Sequence, residues 1–259
     1  MLIDSHCHLN YPGLIEDQAG AIARARAAGV GGMLSISTRE SEWADVIGLA
    51  ESTSDIWATV GIHPHEADQH PDIATDKLIA AAAHPRVVGI GETGLDFFYD
   101  KSDRLRQEQS FRTHLAAAQA TGLPVIVHTR DADADTVRIL KAMHHSGPIT
   151  GVIHCFTASD WLADEALALG FYISISGIVT FKNAKALQAS AARIPADKLL
   201  VETDSPFLAP VPMRGKSCEP AYVVHTAQFL ADLRGTDVET LSQQTTDNFF
   251  KLFDKAQRP

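Results

Sequence analysis

Short apolar runs rich in β-branched residues alternate with longer, Ala-rich stretches along the whole chain. The runs are Leu2–His6, Met33–Ser37, Trp57–Ile62, Val87–Glu92, Pro124–His128, Gly151–His154, Phe171–Ile175 and Leu199–Thr203. Each has the length and composition of a buried strand. Between them apolar positions recur at helical spacing, which predicts helices over Asp17–Ala28, Ser41–Glu51, Thr75–Ala83, Arg104–Thr121, Asp133–His144, Trp161–Leu169 and Ala184–Arg193. Tyr222–Arg234 and Glu239–Phe253 follow as closing helices. Gly29, Gly122 and Gly170 stand just past three of these segments, where helices commonly stop. Eight strands, each followed by a helical segment, predict an α/β chain folded as a (β/α)8 TIM barrel. The competing arrangement is a doubly wound open sheet. No Pro-, Gly- or Ser-rich linker or repeat divides the chain, so residues 1–259 are expected to form one domain.

Composition narrows the function more than the fold. At 259 residues and 45% hydrophobic, the chain can bury a large core. Its net charge of −10 has the wrong sign for a protein that wraps duplex DNA by charge alone. Cys7, Cys155 and Cys218 are scattered and lack CxxC spacing, which fits a reducing compartment and no thiolate metal site. The first strand begins at residue 2, so no signal segment is expected, and no run approaches the ~18 apolar residues of a membrane span. A cytoplasmic protein, monomeric and without a membrane partner, is the expectation.

In such a barrel, function collects at the C-terminal ends of the strands. Those ends carry His6 and His8, then His63, Glu92, His128, His154 and Asp204. Alternate strand residues share a face, so His6 and His8 point together while Cys7 points away. Singly, each has a structural explanation: His63 before Pro64 can cap a loop, and Asp204 before Ser205-Pro206 can open a turn. Recurrence at five strand ends besides that of His63 argues instead for metal. Imidazole and carboxylate without thiolate suit Zn, Mn or Mg. The six side chains His6, His8, Glu92, His128, His154 and Asp204 exceed what one open site needs and suffice for two or three ions, with Glu92 as the bridge. Two ions about 3.5–4 Å apart lower the pKa of a shared water and clamp the oxygens of an in-line displacement. Asp204 would hold one ion and accept the water's proton. By strand parity Asp4 and Glu202 also point inward, either orienting imidazoles from behind or serving as ordinary buried carboxylates.

Gly89-Ile90-Gly91-Glu92-Thr93-Gly94 matches the dinucleotide fingerprint. It runs into an aromatic loop, Leu95 to Asp100, where that fingerprint needs a helix. No nucleotide cofactor is expected; the glycines are read as allowing close approach around Glu92.

Ile3-Asp4-Ser5-His6-Cys7-His8-Leu9, Gly61-Ile62-His63-Pro64-His65, Gly91-Glu92-Thr93-Gly94-Leu95-Asp96, Pro124-Val125-Ile126-Val127-His128-Thr129-Arg130, His154-Cys155-Phe156-Thr157 and Glu202-Thr203-Asp204-Ser205-Pro206 together resemble the TatD-type metal-dependent deoxyribonucleases. The match runs in order from residue 2 to about residue 253. The resemblance implies a (β/α)8 barrel, divalent metals and hydrolysis of DNA phosphodiesters from a 3′ end. It carries the metal-ligand role onto His6, His8, Glu92, His128, His154 and Asp204, and makes His63 a substrate-side residue. Two departures stand out. Arg214-Gly215-Lys216-Ser217-Cys218-Glu219-Pro220 replaces the family's Arg-Gly-Lys-Arg-Asn-Glu-Pro, which bears on substrate preference, and Ala158 stands where the family has Gly.

Two divalent ions would place positive charge where a phosphate must sit, whatever the net charge. Arg130, Lys182, Arg214 and Lys216 follow strands on the same side and are candidate phosphate contacts. This layout fits gripping a DNA end or single strand better than tracking along duplex. Competing readings are an amidohydrolase-type barrel cleaving an amide, lactone or ester, ester hydrolysis on charged tRNA, and a non-catalytic metal-stabilised binding module. The first often uses a carboxylated lysine, and no Lys occupies a predicted strand end; the last predicts a closed, saturated site.

Overall fold

Every predicted run forms a strand: β1 (Leu2–Cys7), β2 (Val30–Ser35), β3 (Ile56–Val60), β4 (Val87–Asp96), β5 (Val125–Arg130), β6 (Gly151–Ile153), β7 (Tyr172–Ile175) and β8 (Leu199–Val201). The computed structural model describes residues 1–99 and 101–259, so Asp100 of the predicted aromatic loop lies outside the described residues. Each strand pairs in parallel with the next. Past β8, the Asp204 amide donates to the His6 carbonyl (2.9 Å) and the His8 amide to the Ser205 carbonyl (2.8 Å). The sheet thus returns to β1 as a TIM barrel, and the open-sheet alternative falls.

The helices are α1 (Gln18–Ala27), α2 (Trp43–Ser52), α3 (Thr75–Ala82), α4 (Arg104–Thr121), α5 (Asp133–Ser146), α6 (Asp160–Ala168), α7 (Lys185–Arg193), α8 (Val223–Arg234) and α9 (Val238–Leu252). Strand alternation splits the apolar residues into two cores. Met33, Ala58, Val60, Val125, Val127, Ile173 and Val201 pack outward among helix residues such as Leu78, Phe111 and Leu230. Ile3, Leu34, Trp57, Val88, Ile126, Val152, Tyr172 and Leu200 fill a second cluster with Phe249, Leu252 and Phe253 from the α9 end. Phe249 lies 5.3 Å from the Trp57 ring. This apolar plug leaves the C-terminal strand ends to the polar residues.

Two strands depart from regular pairing where the chemistry lies. Register shifts fall between Asp4 and Cys7 in β1 and between Ile90 and Thr93 in β4, bracketing His6 and Glu92. Irregularities of this kind re-aim side chains near sites. β4 also continues past the expected end at Glu92, pairing Gly94 with His128 and Asp96 with Arg130. Gly94 has φ 140, and a Cβ there would stand 2.0 Å from the His128 carbonyl oxygen. The glycines do serve close approach, here between β4 and β5.

His114 of α4 anchors the start of the next loop from behind. Its Nδ1–H donates to the Ser110 carbonyl (2.7 Å), and its Nε2 accepts the Ile62 amide (2.9 Å). Both bonds need a neutral ring, and burial lowers its pKa from 6.5 to about 4. The unfolded chain therefore takes up a proton below pH 6.5 that the fold refuses until about pH 4. Stability carried by this ring is present above pH 6.5 and declines as pH falls toward 4, by up to about 3 kcal/mol. Denaturant unfolding of wild type and His114→Gln across that range is expected to show the difference between them shrinking as pH falls. A constant difference would mean that His114 titrates normally in the fold.

Candidate metal centre

Glu92 sits on the axis of the site, buried, with its two carboxylate oxygens facing different groups of imidazoles. Oε2 lies 3.4 Å from His6 Nε2 and 3.8 Å from His8 Nε2. Oε1 lies 2.8 Å from His154 Nε2, 3.2 Å from His128 Nδ1 and 3.3 Å from His63 Nε2. Asp204 completes the first group, with Oδ1 3.4 Å from His8 Nε2 and 3.6 Å from His6 Nε2. Its backbone is left-handed, at φ 58, a conformation that Asp tolerates better than most residues. The fold therefore brings all six expected ligands together around one carboxylate.

The spacing fits a cation. Four ligand atoms about 2.1 Å from one ion at tetrahedral angles lie about 3.4 Å apart. His6 and His8 hold their Nε2 atoms 3.3 Å apart, and the imidazole-to-carboxylate separations in that group run from 3.4 to 3.8 Å. On the second side His128 donates its Nε2–H to Asp96 Oδ2 (3.0 Å). In the neutral ring this leaves the Nδ1 lone pair facing Glu92 Oε1 and, at 3.4 Å, His154 Nε2. Lone pair against carboxylate is repulsive unless a proton or a metal lies between. His6–His8–Glu92, His63–Glu92–His128 and His6–His154–Glu202 each gather within 4.8 Å, so the donor set and its geometry fit divalent ions.

Charge responds as this arrangement requires. Burial would raise the Glu92 carboxyl, but the fields of His154 and His63 and hydrogen bonds from His128 and His154 hold it well below the usual carboxylate range. Burial and the nearby His154 lower His6. At His154 burial acts the same way, yet Glu92 and Glu202 override it and raise the ring well above the usual range. Burial is likewise overridden at His128, by Asp96 and Glu92.

The groups behind the rings divide. Glu202 Oε1 lies 3.4 Å from His154 Nδ1 and accepts the Cys155 amide at 2.6 Å, so it faces an imidazole from behind. Asp4 does not. Its oxygens accept the Thr203 amide (2.9 Å), the Thr203 hydroxyl (2.6 Å) and the His6 amide (3.3 Å), fastening β1 to β8, and burial raises its pKa to about 8. Asp96, passed over in the sequence, does what Asp4 was considered for: Oδ2 accepts from both His128 and His65 (2.9 Å).

His63 caps the loop after β3 and lines the cavity above the cluster. Nδ1 accepts the His65 amide (3.1 Å) as a loop cap, which puts the proton of the neutral ring on Nε2, toward Glu92. Burial lowers its pKa to about 4. Arg130 lines the cavity of about 470 Å³ above the cluster, as do Arg39, Lys101, Tyr11, Tyr99 and Phe207. Arg39 lies in the loop just past β2, on the same rim as the strand ends. Lys182, Arg214 and Lys216 lie outside that lining, and Arg214 stacks on Phe181 (4.1 Å). In the departing segment Cys218 is buried while Ser217 is exposed. A larger groove of about 960 Å³, at the opposite end beside Met1 and Gln243, contains none of the grouped imidazoles.

Residues 3–254 match the family model described as TatD related DNase. The chain is 44% identical over 255 residues to the Escherichia coli K12 protein called uncharacterized metal-dependent hydrolase YcfH, covering 97% of this chain and 95% of that one. It is 38% identical over 244 residues to a Pectobacterium atrosepticum protein named 3′-5′ ssDNA/RNA exonuclease TatD, covering 92% and 94%. The crystal structure of YjjV, a TatD homologue from Escherichia coli K12, superposes with a TM-score of 0.91 at 30% identity, covering 98% of each chain. This chain belongs to the TatD family of metal-dependent hydrolases.

Proposed function

We propose that this hydrolase is a 3′-end-directed exodeoxyribonuclease that acts on single-stranded DNA ends with two divalent ions, or three. One observation carries the reading: the two oxygens of Glu92 face separate groups of imidazoles at the floor of an open cavity. His6, His8 and Asp204 would hold one ion and His128 and His154 the other, with Glu92 shared. When bound, such ions lower the pKa of water and neutralise phosphate charge. The name of the Pectobacterium relative supports a nucleic-acid strand as substrate. Scattered cysteines without CxxC spacing support a cytoplasmic location in this reading; no helix among the described residues is long and apolar enough to cross a membrane.

The chain's own groups then have distinct tasks. Asp204 Oδ1, held low against burial by His8 and the neighbouring imidazoles, is ionised and accepts the proton of the attacking water. His63, neutral at working pH and part of the cavity lining, is the substrate-side imidazole. Asp96 and Glu202 fix the tautomers of His128 and His154. Arg130 at the rim takes a substrate phosphate. An amidohydrolase reading has no strand-end lysine to use, and a closed binding module does not fit a site that opens onto a cavity.

Glu92→Gln removes charge from both sides at once. Metal content is expected to fall from about two ions per chain to below one, whereas His8→Ala leaves about one. Elemental analysis decides, and full occupancy in Glu92→Gln removes the bridge. For Asp204→Asn, kcat on an end-labelled single strand should fall about 10²–10⁴-fold, with metal content and Tm near wild type. A lowered Tm with near-normal turnover of the folded fraction would make Asp204 structural.

A further inference from the structure

Two large aromatic side chains line the metal cavity half-exposed, Tyr99 (51%) and Phe207 (50%), and a third, Phe98 (54%), stands beside Tyr99 with the ring centroids 4.9 Å apart. Scattered exposed apolar residues are ordinary, but these stand around one opening. Phe207 follows β8, 6.3 Å from the His8 ring and 6.1 Å from Tyr11. Phe98 and Tyr99 follow β4, with Tyr99 5.4 Å from His65. In an eight-stranded barrel β4 and β8 face each other across the axis, so rings flank the cavity from two sides.

The β4 pair is fixed in place. Asp96 Oδ1 accepts the amides of Phe98 (3.1 Å) and Tyr99 (2.9 Å), while its Oδ2 accepts from His128 and His65. One carboxylate therefore sets the position of the rings relative to a candidate metal ligand. The Arg130 guanidinium lies 4.1 Å from the Phe98 ring centroid and 4.8 Å from that of Tyr99, and Lys101 Nζ lies 5.7 Å from Tyr99. Cations interleaved with rings suit a ligand that is anionic along its backbone and planar at its side groups, and do not suit an apolar protein face.

Resting on the nuclease reading above, we infer that Phe98, Tyr99 and Phe207 stack the unpaired bases of a single-stranded DNA end and hold it over the metal centre. Bases in duplex are already stacked on their neighbours and offer no free face, so these rings select single strands.

The test uses metal-loaded protein and a phosphorothioate-linked single strand, which resists hydrolysis, with 2-aminopurine at its 3′ end. Binding should quench the fluorophore. Phe98→Ala with Tyr99→Ala, and separately Phe207→Ala, should weaken binding about 5- to 150-fold per stacked base; Tyr99→Phe and Phe207→Trp, which keep a ring, should not. A strand with abasic 3′ nucleotides should bind wild type as weakly as the intact strand binds the alanine variants. Equal affinity for intact and abasic strands, or undiminished affinity in the alanine variants, overturns the inference. A strand that stacks on the rings but is never cut in phosphodiester form sinks the nuclease reading alone. Cleavage indifferent to the rings sinks this inference alone.

Discussion

The structure depends on keeping one carboxylate, Glu92, ionised inside a barrel. Removing a carboxylate from water is costly unless it is paired and hydrogen-bonded. The barrel offers it five imidazoles, from His6, His8, His63, His128 and His154. They cannot all be protonated, because the rings stand against one another: those of His6 and His154 stack at 3.9 Å. Burial first, and then neighbouring rings, lower His6 and His63, while the carboxylates of Asp96, Glu92 and Glu202 raise His128 and His154 against burial. Divalent ions would resolve the conflict by taking the lone pairs of neutral rings, so metals and protons would compete for the same atoms. Asp96 and Glu202 gain a purpose on the same ground, since each meets the far nitrogen of a ring whose near nitrogen faces Glu92.

Much of this was legible because barrel geometry converts sequence position into place. A residue at the end of a β-branched run must lie on one rim, so His6, Glu92, His128, His154 and Asp204 could be gathered without coordinates. Strand limits were less secure. β2 starts at Val30, three residues before the apolar run, because Gly31-Gly32 carry no strand signal. Gly32 belongs there nonetheless: a Cβ would meet the Trp57 ring at 2.6 Å. Such a tertiary constraint leaves no trace in local pattern.

Asp96 was missed for a related reason. Ending β4 at Glu92 turned Gly94 and Asp96 into loop, although positions 92, 94 and 96 share strand parity. Asp4 met the other of its two readings, a buried, hydrogen-bonded carboxylate. Parity put it with His6, but the pairing irregularity in β1 lies between Asp4 and Cys7, and its carboxylate turned to Thr203 instead. Alternation predicts facing only while the ladder is regular, and active sites are where bulges interrupt it. The two β8-side carboxylates, Glu202 and Asp204, escaped this difficulty because backbone bonds beyond Val201 still hold that segment against β7 and β1.

An acidic chain acting on an anionic strand is not contradictory once local charge is separated from total charge. The carboxylates nearest the cavity are spent on partners: Asp96 on two imidazoles and two amides, Glu42 and Glu66 on Arg39, Glu202 on His154 and the Cys155 amide. What faces outward at the mouth is Arg130, Lys101 and aromatic rings. Charges that lie beyond a Debye length of about 8–10 Å are screened at physiological salt. Long-range attraction would therefore be weak and local grip strong, a combination that disfavours sliding along duplex and favours capture of an end.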